Sequence, residues 1–105
     1  MKYLVITRRR DGVPIPPDVV AGMLLAQRDW IQDNLADGTF DAAYTFAQGG
    51  GGVAIVNAES GEDLHRLATG APLFGLSNME VQPLADIGLL GDAAAALRRV
   101  SGAPA

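Results

Sequence analysis

The chain has 105 residues, 49% of them hydrophobic, which is enough for one domain with its own core and too few for two. Its formal net charge of −4 argues against a nucleic-acid partner or an anionic membrane, because both need a concentrated basic surface. Without cysteine and with one histidine, it offers no disulfide, no thiol nucleophile and no multi-histidine metal site.

The N-terminal residues lead directly into a strand pattern, without a charged and then apolar leader. No apolar run approaches the length of a membrane span. We therefore expect a cytoplasmic protein with no membrane partner. Residues 1–105 are expected to form a single domain, with a core over residues 1–85 and a tail over residues 86–105.

The first predicted element is a strand from Lys2 to Arg8. Its residues alternate between two faces that both carry apolar side chains, which is typical of a central strand. One face has Tyr3, Val5 and Thr7, and the other has Leu4, Ile6 and Arg8. Arg8 opens a short basic run. It is either part of a solvated strand end or a pocket residue that holds a substrate carboxylate bidentately.

A proline-rich loop at Asp11–Pro17 precedes a long helix predicted over Asp18–Asp37. Proline at the first turn and Gly38 after the last residue mark the two ends of this helix. The apolar stripe of the helix consists of Val20, Leu24, Ile31 and Leu35, widened by Met23 and Trp30. Gln27 lies on the same stripe, so its amide either bonds to backbone at the helix edge or lines a cavity.

Two further strands are predicted at Phe40–Gln48 and Gly52–Asn57. Alternation groups Ala42, Tyr44, Phe46 and Gln48 on one face of the first, and Val53, Ile55 and Asn57 on one face of the second. The glycine run Gly49–Gly52 lacks the lysine and the following helix of a phosphate-binding loop. It indicates a hairpin turn or a backbone that passes close to a ligand.

The stretch Ser60–Leu84 contains a short helix, a sharp stop and a strand. Ser60 and Asp63 form a capping-box-like start, and Gly70 ends the helix before Pro72. In the strand, Met79, Val81 and Pro83 alternate with Asn78, Glu80 and Gln82. The tail then carries a small helix near Asp92–Val100 and a frayed end at Ser101–Ala105.

Within this stretch, the run DLHRLATGAPLF followed by MEVQPLA resembles the second half of muconolactone isomerase-like proteins. The resemblance implies a dimeric α+β barrel and a reaction that moves a double bond within an unsaturated lactone. Such a reaction needs a base and an acid but no cofactor. The resemblance also puts Gln27 where the family has a helix glutamate, and a glutamine cannot serve as the base.

The order of elements predicts the same fold class. Strand, helix, strand, strand, helix, strand is the βαββαβ pattern of ferredoxin-like α+β folds, with a four-stranded antiparallel sheet and both helices on one face. The other face would expose apolar side chains. We therefore expect two sheets to pair as a dimeric α+β barrel, in a homodimer or a larger homo-oligomer built of dimers. A short C-terminal helix completes the chain.

Glu80 and His65 are the candidate catalytic residues. Glu80 matches a glutamate in the family's IEV segment, and its apolar neighbours in sequence, Met79 and Val81, predict a raised pKa suited to proton transfer. The alternative for Glu80 is a strand glutamate that faces solvent or pairs with an arginine. His65 matches the family's LH, and its intrinsic pKa suits acid–base catalysis, but a capping or packing role is also open.

The predicted substrate-binding residues are Gln27, Tyr44, Arg8 and Asn78, with Gln82 and Gln48 as further possible hydroxyl or oxyanion partners. Three functions fit these residues. The leading hypothesis is a cofactor-free isomerase or cyclase that moves protons on a small lactone or polyketide-like carbonyl substrate. The alternatives are a cofactor-free oxygenase of an aromatic substrate and a non-catalytic small-molecule-binding or assembly protein.

Overall fold

The computed structural model describes residues 1–102, so residues 103–105 of the predicted frayed end lie outside the described part. The strands are β1 (Lys2–Arg9), β2 (Phe40–Thr45), β3 (Gly51–Asn57) and β4 (Ser77–Leu84). The helices are α1 (Pro17–Ala36), α2 (Gly61–Thr69) and α3 (Leu89–Ser101), with a 3-10 turn at Phe74–Leu76. The predicted βαββαβ order with a C-terminal helix is confirmed.

The four strands form one antiparallel sheet in the order β2-β3-β1-β4. Strand β1 is central, as its apolar residues on both faces predict. The inner face packs against α1 and α2 and carries Tyr3, Val5, Thr7, Arg9, Phe40, Ala43, Thr45, Gly52, Ala54, Val56, Ser77, Met79, Val81 and Pro83. The outer face carries Lys2, Leu4, Ile6, Arg8, Ala42, Tyr44, Val53, Ile55, Asn57, Asn78, Glu80, Gln82 and Leu84.

The core lies between the inner face and the two helices. Its buried residues are Tyr3, Val5, Phe40, Val56 and Leu64, against which Trp30, Ile31 and Leu67 pack. The Trp30 and Phe40 rings meet edge to face, with centroids 5.5 Å apart and planes at 77°. Asn34, buried in the same helix, donates from Nδ2 to the Trp30 carbonyl at 2.8 Å, so its burial leaves this donor satisfied.

The predicted start of α2 at Ser60 and the predicted end of α1 near Gly38 are both present. Ser60 caps α2, because its Oγ accepts from the Asp63 N–H at 3.2 Å. Helix α1 ends at Ala36, after which Gly38 adopts a left-handed φ of 83°. The Asp37 carboxylate accepts from the Thr39 N–H at 2.8 Å. Hydrogen bonding by the Thr39 side chain, and to a lesser extent by this N–H, holds the pKa of Asp37 below its usual value.

The hairpin between β2 and β3 corrects the predicted length of β2, which ends at Thr45 and not at Gln48. The Phe46 N–H donates to the Gly51 carbonyl at 2.9 Å, and the Gly49 N–H donates to the Phe46 carbonyl at 2.9 Å. These bonds turn the chain before the alternating pattern runs out. The predicted hairpin turn is therefore confirmed, but Gly51 and Gly52 belong to β3.

Helix α3 begins at Leu89 and not near Asp92, and Ser101, predicted to be frayed, is its last residue. None of its residues is buried, and Leu90 and Leu97 are 73% and 70% exposed. The radius of gyration is 18.2 Å, against roughly 13 Å expected for about 100 residues. This helix thus presents an uncovered apolar stripe.

Between residues 1 and 102, no helix is both long and apolar enough to cross a membrane.

Candidate functional site

A cavity of about 680 Å³ lies between the inner face of the sheet and helices α1 and α2, and we call it the sheet–helix cavity. Most of its lining is apolar and comes from every element that contributes to the core. The main apolar residues are Val5, Val20, Leu24, Trp30, Ile31, Phe40, Val56, Leu64, Leu67, Leu73, Phe74, Leu76 and Met79. Both its size and its mostly apolar wall are those of a small-molecule site.

The glycine run Gly49–Gly52 lies at the rim of this cavity. Gly49 and Gly50 have φ values of 81° and 82°, which favour glycine because other residues carry a Cβ that clashes there. Gly52 lies so close to β2 that an added Cβ would come 2.3 Å from the Tyr44 carbonyl oxygen. The run therefore serves as a turn and also brings bare backbone to the cavity wall.

Gln27 is the one predicted substrate-binding residue whose side chain is fixed at the cavity. It is half-buried on α1, and its Oε1 accepts from the Leu73 N–H at 3.1 Å. The Leu73 N–H is a donor and can bond only to the amide oxygen, so this bond fixes the orientation of the Gln27 amide. At the other end of the amide, Nε2 has no hydrogen-bond partner among residues 1–102. The two sequence interpretations of Gln27 thus hold together: its oxygen bonds to backbone, and the residue lines a cavity.

The charged lining of the cavity is entirely basic. Among residues 1–102, Arg9 and Arg28 contribute to it, and no aspartate, glutamate or histidine does. Arg28 is paired with Asp29 at 3.1 Å, whereas Arg9 has no carboxylate within 4.0 Å in the described part of the chain. Sequence reasoning chose Arg8 and missed Arg9. Strand alternation held the missing signal, because odd-numbered residues of β1 share a face with Tyr3 and Val5.

The outer face carries four of the predicted site residues, and of these four only Tyr44 also borders the cavity. Arg8 and Glu80 approach within 3.6 Å, Asn78 pairs with Arg8 across the strands, and Tyr44 lies on the same face and is 71% exposed. Arg8 also lies over the Phe46 ring at 5.9 Å. The expectation that Arg8 faces a pocket is therefore wrong for this cavity. The alternative of an arginine-paired glutamate fits Glu80.

The desolvation expected at Glu80 is absent, since its side chain is 55% exposed. The expectation relied on Met79 and Val81, which are neighbours in sequence. On a strand, adjacent side chains point to opposite faces, and these two point to the inner face. They therefore cover the cavity side and leave the carboxylate in water.

His65 lies on the exposed side of α2, whereas its neighbour Leu64 is buried in the core. It does not line the sheet–helix cavity, and neither do Glu80 and Asn78. Gln48 lies in the exposed hairpin turn and Gln82 on the outer face. Over residues 1–102, no group of three or more histidine, aspartate or glutamate side chains is arranged to hold a metal ion.

Two solved structures share this fold. A crystal structure of muconolactone isomerase aligns with a TM-score of 0.73 and 21% identity, over 82% of this chain and 90% of that one. The 5-chloro-2-hydroxyhydroquinone dehydrochlorinase of Burkholderia phenoliruptrix AC1100, in complex with 2,5-dihydroxybenzoquinone, aligns with a TM-score of 0.62 and 18% identity, over 81% of this chain and 94% of that one. Among curated proteins, none is significantly similar in sequence.

The sequence model of muconolactone delta-isomerase matches residues 1–87. The matched range contains all four strands, α1, α2 and every residue that lines the sheet–helix cavity, and it stops before α3. The resemblance and the ferredoxin-like fold class predicted from the sequence are thereby confirmed. This chain belongs to the muconolactone delta-isomerase family.

Proposed function

We propose that the protein is a cofactor-free isomerase or cyclase that moves protons on a small lactone or polyketide-like carbonyl compound. The observation that carries the proposal is the sheet–helix cavity, already formed within one chain and walled by apolar side chains with the Gln27 amide among them. Family membership supports the reaction class. One similar structure is a muconolactone isomerase and the other contains 2,5-dihydroxybenzoquinone, which supports a cyclic carbonyl compound as substrate.

The proposed chemistry is a double-bond shift through an enolate. A proton leaves the carbon next to the carbonyl, the electron pair of that C–H bond forms a C=C bond, and the carbonyl π pair moves onto the oxygen. A proton then returns at another carbon of the conjugated system, and the carbonyl bond forms again. Gln27 Nε2 donates to the oxygen as negative charge develops there, while Oε1 stays bound to the Leu73 N–H. A donor held in place inside a largely apolar cavity stabilises such a charge more than water does.

The proton must be carried by a group outside the cavity lining, because the lining formed by residues 1–102 contains no carboxylate or imidazole. For a substrate in the cavity, we propose that a water molecule or a carboxylate of the substrate accepts the proton from carbon, and that the protonated form of the same group returns it. Glu80 remains the proposed acid–base residue for a second placement, on the outer face, with Arg8, Asn78 and Tyr44 beside the substrate. We favour the cavity because its apolar wall and the oriented Gln27 amide are both in place within one chain.

The test is hydrogen exchange on muconolactone dissolved in D2O, followed by proton NMR with wild-type protein and two variants. We expect Gln27→Leu to slow exchange by roughly 10- to 100-fold, as expected for the loss of a donor to a developing charge. Glu80→Gln serves as the matched amide control and should leave the rate within about twofold. The opposite ranking would assign the chemistry to the outer face, and exchange no faster than in buffer would overturn the enzymatic proposal for this substrate.

We also propose that the functional form is a homodimer in which two outer faces pack together. The outer face carries Leu4, Ile6, Val53, Ile55 and Tyr44, and neither α1 nor α2 covers it. Apolar area of this kind is stabilised when a second sheet removes it from water. Exposed leucines on α3 add further surface that pairing could bury.

A non-catalytic binding protein is the second candidate, and the absence of a carboxylate or imidazole from the cavity lining favours it. It predicts saturable binding of an intact ligand with no hydrogen exchange and no product. The two candidates therefore separate in one experiment. Calorimetry measures binding, and NMR of the same sample detects exchange.

A further inference from the structure

Resting on the proposed function, we propose that Arg9 anchors an anionic group of the ligand. We also propose that the ligand is longer than one ring and extends from the sheet–helix cavity into a smaller neighbouring cavity. The substrate class that this predicts is a multi-ring aromatic or polyketide-like carbonyl compound with a carboxylate or another anionic substituent. The inference depends on where Arg9 lies, on how the two cavities meet and on the charge around them.

Arg9 lies at the end of β1 on the inner face, opposite Ser77 of β4. Its backbone is held from the other side, because the Arg9 N–H donates to the Gly50 carbonyl at 2.8 Å. The next residue is fixed as well, since the Arg10 N–H donates to the Leu76 carbonyl at 2.8 Å. The long side chain of Arg9 thus starts from an ordered backbone at the cavity rim.

A second, shallower cavity of about 300 Å³, more open to solvent than the first, lies beside the proline-rich loop. Its lining consists of Arg9, Ile15, Pro17, Val20, Ala21 and Leu24. Three of these residues, Arg9, Val20 and Leu24, also line the sheet–helix cavity. The two spaces therefore have Arg9 and two apolar side chains of α1 as a common wall, and a ligand that extends past this wall would contact both.

Charge makes Arg9 a better anion anchor than its neighbours. Its guanidinium has no carboxylate within 4.0 Å among residues 1–102, whereas Arg8 is paired with Glu80 and Arg28 with Asp29. In the part of the chain that the structure describes, no acidic side chain lines either cavity. A guanidinium without a protein partner, at the rim of an apolar space, favours a ligand that brings its own carboxylate.

The size of the site favours more than one ring. Cavities of roughly 300–1,000 Å³ hold drug-sized ligands, and the sheet–helix cavity alone has about 680 Å³. A single five-membered lactone would leave much of the apolar wall of this cavity in contact with water. A fused-ring compound covers more of that wall, and the hydrophobic gain rises with the apolar area covered.

The experiment uses the full-length protein and three probes: anthracene-2-carboxylate, its uncharged primary amide, and benzoate as the one-ring carboxylate. Binding is measured by calorimetry and by the fluorescence of anthracene. We expect the wild-type protein to bind the fused-ring carboxylate more tightly than both other probes. Arg9→Gln should weaken binding of the carboxylate by roughly 10- to 100-fold and change that of the amide by less than about twofold, because only the anion loses a charge-assisted bond.

Arg10→Gln is the matched control, since Arg10 is the next residue in the chain and lines neither cavity. It should bind all three probes as the wild-type protein does. Equal weakening of carboxylate and amide by Arg9→Gln, an equal effect of Arg10→Gln, or no binding of the fused-ring carboxylate to the wild-type protein would overturn the inference. Selective binding without hydrogen exchange on any tested carbonyl compound would support the anchor while contradicting the proposed enzymatic function.

Discussion

The two faces of one sheet differ in what covers them, although the same strands build both. On β3, Val56 of the inner face is 2% exposed, whereas Tyr44, on the outer face of the adjacent strand β2, is 71% exposed. The inner face bounds an apolar cavity with basic residues at its lining, and the outer face gathers the ion pair of Arg8 and Glu80. The ion pair of Arg8 and Glu80 and the large apolar cavity are thus found on opposite sides of the sheet.

This difference shows that a reactive residue type is not enough to locate a site. Glu80 and His65 carry side chains of the types that proton transfer uses, but in this chain both are exposed and away from the sheet–helix cavity. Gln27 cannot act as a base, yet it holds an oriented donor at that cavity. A donor that is held in one orientation beside an apolar wall stabilises developing charge more than the same donor does in water.

The largest expected effect is on stability, where a substitution on the inner face should cost more free energy of unfolding than the same substitution on the outer face. Val56→Ala removes two buried methyl groups from the core, so we expect the free energy of unfolding to fall by about 2–3 kcal/mol. Val53→Ala is the matched change on the outer face of the same strand, where the side chain is half-buried, and should cost under about 1 kcal/mol. Urea denaturation at low protein concentration measures both, and equal losses would contradict the account of one covered face.

The next largest expected effect is on the molar mass, because one substitution should disrupt the proposed pairing of outer faces. Tyr44→Asp puts a charge on the 71% exposed outer-face position, so a dimer that buries it would pay a large desolvation cost. We expect the molar mass from light scattering to fall from that of a dimer to that of a monomer. His65→Asp, on the exposed side of α2, is the control and should leave the mass unchanged. A Tyr44→Asp protein that keeps the dimer mass would refute pairing through this face.

The smallest effect concerns the edge of the outer face, where Asp41 accepts from Lys2 Nζ and, at 2.8 Å, from Asn57 Nδ2. These bonds hold the pKa of Asp41 below its usual value, the Lys2 bond most strongly. A carboxylate with a lowered folded-state pKa stabilises the fold above its unfolded pKa of about 3.9, and the stabilisation is lost as pH falls through the folded value.

Asp41→Asn should therefore lower the melting temperature slightly near pH 7, and the difference from wild type should shrink towards zero as pH falls below about 3. Thermal melts of both proteins between pH 2 and pH 7 measure it. A difference that grows with acidification would contradict the assigned hydrogen bonds. Because Asp41 is exposed, added salt should also reduce the effect.

Much of the fold could be predicted because its signals are local. Ser60 caps α2 through the Asp63 N–H, Gly38 follows α1 with a left-handed φ, and β1 is central as its alternation indicates. The end of β2 could not be predicted. It depends on the bond between Phe46 and Gly51 across the turn, and not on the alternation within the strand.

The site was harder to predict because it depends on which face each residue occupies relative to the helices. The sequence indicates Arg8 because it is the first of three consecutive arginines. Side chains alternate between faces along β1, however, and this alternation puts Arg9 on the inner face at the cavity. Gln27 could be recognised as a polar residue on an apolar stripe, but its partner, the Leu73 N–H, is 46 residues away in sequence. The catalytic roles of Glu80 and His65, the homodimer and the cytoplasmic location stay predictions.

The central claim is that small molecules bind on the inner face, in the sheet–helix cavity. The most direct measurement is a titration of 15N-labelled protein with anthracene-2-carboxylate, followed by two-dimensional amide NMR. The account predicts the largest shifts at the Leu73 amide, which bonds to Gln27, and along Gly49–Gly52 at the rim. Shifts confined to the exposed row of Asn78, Glu80 and Gln82 on β4 would contradict it and assign ligand binding to the outer face.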